Sequence, residues 1–152
     1  MQSALAGAMV ALVFVLALPS AVGASSVVVA RSARSERLAV DARLHYVNAR
    51  GAYLFEEGRA SGPLAGVVKA TIKITADISG SFTFYPPRGG SISGRGLGKL
   101  HESGVYASFG GTVTVLGGTG RYSHAHGGGG LYGVYNRKTL GVEIQTTGTL
   151  SY

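Results

Sequence analysis

The side chains best placed to do chemistry are four histidines, one pair of adjacent glutamates and a tyrosine and asparagine two residues apart. His124-Ala125-His126 is an i,i+2 pair, which on a strand would share a face and start a metal site. A zinc site needs four protein ligands, or three and a water, so His45 or His101 would have to arrive by folding. Two glycine-framed histidines beside a turn read more simply as exposed polar residues, and no metal is expected. The chain has no cysteine, which removes thiolate zinc sites, iron–sulfur clusters, disulfides and cysteine nucleophiles. Glu56 and Glu57 are neighbours, and neighbours on a strand point to opposite faces, so they cannot act jointly on one substrate. Both read as loop charges ahead of Gly58; the alternative puts Glu56 at a lumen mouth as a general base with a raised pKa. Gly128 to Gly133 spells G-x-G-x-x-G, but Tyr132-Gly133-Val134-Tyr135 is strand material where a dinucleotide site needs a helix. Neither a P-loop nor a G-x-S-x-G elbow occurs. No cofactor is expected, and no catalytic residue is assigned.

Charge narrows the partners. Fourteen Lys+Arg against seven Asp+Glu leave a formal +7. The basic residues are dispersed from Arg43 to Arg137-Lys138 with no block of five or six, so nucleic acid is not expected as a partner. Eight tyrosines are ordinary strand material in a chain of this kind.

The elements that must position these groups begin after a distinct leader. No charged side chain precedes Arg31, and Ala8 to Leu18 is an unbroken apolar run. Pro19 ends it, and Val22-Gly23-Ala24 offers small residues at the positions a signal peptidase inspects. Residues 1–24 therefore read as a signal peptide cleaved after Ala24, and the mature protein as secreted, with no integral membrane domain. The n-region lacks Lys and Arg, and the other reading is a retained anchor. Residues 25–40, with Arg31, Arg34 and Arg37, read as a linker or N-terminal arm.

From residue 41 to 152 the pattern has period two. From Val68 to Ile78, Val68, Ala70, Ile72, Ile74, Ala76 and Ile78 alternate with Lys69, Thr71, Lys73, Thr75 and Asp77, which makes one half-buried strand broken at Gly80. Phe82 and Phe84, then Val105 to Val115, then Leu140, Val142 and Ile144 repeat the pattern. Glycine clusters at 89–90, 117–120 and 127–130 punctuate it. Seven or eight short strands with no helical stripe predict an all-β antiparallel sandwich or up-and-down barrel. The barrel is preferred, because closure removes aggregation-prone edges.

Gly117-Gly118-Thr119-Gly120, then Tyr122, Ala125 and Gly127, resembles the glycine turn of plant allene oxide cyclases and dirigent proteins. The Phe-rich strand at Ser81 to Tyr85 and the closing Gly148-Thr149-Leu150 are similar too. The resemblance spans residues 41–152 and implies an eight-stranded antiparallel up-and-down barrel with an apolar lumen. It further implies association into dimers or trimers. Allene oxide cyclases carry a carboxylate beside an asparagine on the first strand and a cysteine in the lumen; here Asn48 has no acid beside it and cysteine is absent. The fold is therefore expected from the resemblance, but not the reaction.

Two functions fit. One is a lumen that binds a small apolar molecule and steers an isomerisation or cyclisation through shape and a few polar groups. Its expected lining is Tyr46, Asn48, Phe55, Phe82, Phe84 and Phe109, with Leu44, Tyr46 and Asn48 on one face of the first strand. The other is a non-enzymatic exported barrel serving as a surface module, favoured if the phenylalanines fill the lumen. The turn itself is expected to be structural, with Gly120 at positive φ, a strand returning near Arg121, and Gly128 an ordinary loop glycine.

Overall fold

The computed structural model describes residues 34–101 and 104–152. Eight strands run in order: β1 (Ser35–Arg50), β2 (Tyr53–Ser61), β3 (Gly66–Ile74), β4 (Asp77–Tyr85), β5 (Ser91–Leu100), β6 (Tyr106–Thr119), β7 (His126–Asn136) and β8 (Val142–Ser151). Each pairs antiparallel with the next, and β8 pairs with β1, so the sheet is a closed up-and-down barrel. The expected cleavage site and most of the expected arm lie outside the described residues.

Alternation does the work. On β3, Val68 and Ile72 are buried while Lys69 is exposed. The stretch from Val68 to Ile78 is not one strand: the chain reverses at Thr75-Ala76, where the Thr75 N–H donates to the Asp77 carbonyl at 2.8 Å, and Ile74 pairs with Ile78. On β1, Leu38, Ala42 and Leu44 point in while Arg37, Asp41 and Arg43 point out. This strand starts at Ser35, six residues before the expected boundary. The run Leu38-Ala39-Val40 hides the alternation in sequence, because Ala39 is small and apolar although exposed. Residues 35–44 are barrel, paired residue by residue with Val142–Ser151 of β8.

The four-glycine run is also strand. Gly127–Gly130 belong to β7, paired with β6 on one side and β8 on the other. A Cβ on Gly128 would run into the Val113 carbonyl, so it is not an ordinary loop glycine. The returning strand begins at His126 and not near Arg121. Between them Gly120–Tyr122 forms one 3-10 turn that tucks Tyr122 under the barrel, where it is buried.

That turn packs against Tyr152, which follows β8. The Tyr122 and Tyr152 rings meet with centroids 4.7 Å apart, and the Arg121 guanidinium lies over both. Gly118 leaves room for the Tyr122 backbone, Thr119 shares a 2.9 Å hydroxyl hydrogen bond with Ser91, and the Ala125 N–H donates to the Tyr122 carbonyl at 2.9 Å. Gly120 has φ +60° and Gly127 φ +144°, both in the region that side chains resist.

Two register shifts bend the wall. On β1, Tyr46 pairs with Glu56 but Asn48 pairs with Phe55, leaving Val47 as a bulge. On β6, Leu116 is skipped between Val115 and Gly117.

Candidate lumen site

The barrel interior is built by residues of all eight strands, and the largest side chains lining its cavity are phenylalanines. Each lies on a glycine of a neighbouring strand. Phe82 faces Gly94, where a Cβ would stand 2.6 Å from the ring, and Phe84 lies beside Gly66, where it would stand 3.0 Å away. Phe109 faces Gly133, where a Cβ would collide with the ring. The three rings therefore lie flat against the wall and do not cross the lumen.

A cavity of about 140 Å³ remains. Leu38, Val40, Ala42 and Leu44 form one side, and Phe82, Phe84 and Phe109 line it as well. Thr146 is the lining's inward-facing hydroxyl, and it donates to the Val40 carbonyl at 3.4 Å. An apolar cavity of ~150 Å³ in a protein core stays dry and takes a benzene-sized guest. This lumen is of that size and chemistry.

The other expected lining residues stand elsewhere. Tyr46 is on the inner register, opposite Glu56, but is 38% exposed and outside the cavity lining. The bulge at Val47 turns Asn48 onto the outer face with Phe55, so Leu44, Tyr46 and Asn48 do not share a face. Phe55 lines a second pocket of about 350 Å³ together with Glu56, Glu57, Lys69, Ala70 and Phe82.

The glutamate pair is in β2, not in a loop. Leu54, Glu56, Gly58 and Ala60 take the inner positions, and Phe55, Glu57 and Arg59 the outer ones. Glu57 forms an ion pair with Lys69 at 3.3 Å on the outside. Glu56 is 2% exposed, and neither of its carboxylate oxygens has a protein hydrogen-bond partner. Burial pushes its pKa from 4.5 up to about 7. Tyr135, buried on β7, is raised too, first by burial and then by the charge of Glu56, with Arg137 opposing.

No family model, curated protein or solved structure matches this chain. Its function has to be read from the barrel itself.

The histidines do not converge. His126 donates its Nδ1–H to the His124 carbonyl at 2.9 Å, and His45, His101, His124 and His126 are all exposed. Among the described residues no cluster of three or more His, Cys, Asp or Glu is placed to hold a metal ion. Glu56, expected first as a loop charge, is instead buried on the inner face of β2 with a raised pKa, nearer the alternative reading. The signal for that position was the apolar pattern Leu54, Gly58, Ala60 on the same period-two face.

Proposed function

We propose that this is a secreted barrel, akin to allene oxide cyclases and dirigent proteins, that binds a small apolar molecule in its lumen. Any transformation of that molecule is an isomerisation or cyclisation, driven by the shape of the cavity. The observation that carries this reading is the apolar cavity of about 140 Å³, held open by phenylalanines laid on glycines. Natural cores are close-packed, and voids larger than a water molecule are few. A void this large lowers stability through lost packing contacts, so a guest that fills it recovers them. The volume fits one ring or a short branched chain, and that defines the ligand class.

The test is thermal. Benzene and toluene at saturating concentration should raise the melting temperature, since a ligand of the native state alone stabilises by RT ln(1 + [L]/Kd). Ala70 lines the cavity. Ala70→Leu should fold normally and lose the shift, because the added carbons occupy the guest's volume. No shift for the wild type with any single-ring probe would favour the surface-module reading.

A further inference from the structure

Glu56 is the one charged side chain buried among the described residues. Its cross-strand neighbour on β3 is Ala70, and its diagonal neighbours across the two flanking strands are Leu44 and Ile72. All three line the cavity. Glu56 itself is not in that lining; it stands beside Ala70 on the inner face and lines the second pocket, which Ala70 and Phe82 share with the lumen. The nearby cations are outside the barrel: Lys69 is taken by Glu57, and Arg43 lies 3.6 Å from Glu143. A carboxyl group removed from water with no donor is among the most unfavourable features a core can hold. A leucine there would continue the surrounding pattern.

We propose that Glu56 is the polar contact of the lumen ligand, and that the ligand is a compact apolar body carrying one hydrogen-bond donor, a hydroxyl or an amine. This rests on the lumen reading above. The apolar cavity takes the body, and the Glu56 side chain, next to Ala70 on the inner face, must reach past it to meet the donor. A site with one buried acceptor selects sharply, because a guest without the donor leaves that acceptor unpaired. Selection would thus lie in the polar end of the guest, and the walls would set only its size.

Phenol and toluene are nearly equal in size and differ by a hydroxyl for a methyl. Dissociation constants of both are measured by calorimetric or NMR titration on the full mature chain. The variants are Glu56→Leu and Glu56→Gln. Wild type should bind phenol at least tenfold more tightly than toluene. Glu56→Leu should reverse the order, with toluene the tighter. Glu56→Gln, which keeps an acceptor oxygen, should fall between them and serves if the leucine variant does not fold. If both probes bind and the preference is the same in all three proteins, Glu56 is not the contact, while the lumen reading survives. If neither probe binds wild type, both are overturned.

Discussion

Glu56 is held near the midpoint of its titration at neutral pH, since burial places its pKa at about 7 against 4.5 ordinarily. The folded state binds the proton more tightly than the unfolded chain. Stability from this group is therefore full below about pH 4.5 and is lost as pH rises through about 7. The total is on the order of 3 kcal/mol, at ~1.4 kcal/mol for each tenfold difference in proton affinity between the folded and unfolded chain. Urea midpoints for the wild type should fall between pH 5 and pH 8.5. Glu56→Gln should flatten that fall and exceed wild type at the alkaline end. Parallel profiles would mean that the carboxylate is solvated in solution. A charged residue in an inner position is the kind of feature a sequence hides, because polarity is the cue for the outer face. The same limit applies at Asn48. Its facing is set by the bulge at Val47, which no glycine or proline announces.

At the level of elements, the turn between β6 and β7 sorts its glycines by what each does. Gly120, at φ +60°, needs the conformation that a Cβ opposes. Gly117 has open space around it and an ordinary φ. Gly120→Ala should cost on the order of 1–2 kcal/mol, a drop of several degrees in melting temperature. Gly117→Ala should be neutral or stabilise by up to about 1 kcal/mol through the unfolded chain. Equal melting points for the two would remove the conformational argument. Gly133→Ala tests a different role. Its methyl group must displace the Phe109 ring into the lumen, an overpacking cost of about 1–3 kcal/mol. Adding Phe109→Leu should relieve the clash and restore part of the loss, read as a double-mutant cycle in chemical denaturation. Period two made the faces of β3 and β4 and the Val113–Val115 part of β6 legible, but it ran β3 into β4, because Ala76 and Ile78 keep the alternation through the Thr75-Ala76 reversal. It did not show which glycines back which rings, because that depends on cross-strand register. Nor did it show the start of β1, whose pairing partner lies more than a hundred residues away.

For the molecule as a whole, closure was legible as the remedy for exposed edges, and the residues after 41 carried it. The open lumen was not legible, since the same phenylalanines would have filled a barrel without those facing glycines. Closure itself divides the pairings into two kinds. Seven of the eight pairings join strands consecutive in the chain, each an antiparallel neighbour of the one before. The eighth joins Ser35–Leu44 to Val142–Ser151, and Arg34 and Tyr152 exchange backbone hydrogen bonds of 2.9 Å at its end. Local pairings meet quickly, whereas bringing distant segments together carries a larger loop entropy. Folding should therefore run as a growing meander that becomes a cylinder only when its last strand finds its first. Until then both outer strands present unpaired backbone to any neighbouring chain. A ribosome that has not yet released Val142–Ser151 holds an open sheet, and the interval before the seam forms is when the barrel is most exposed to misassembly.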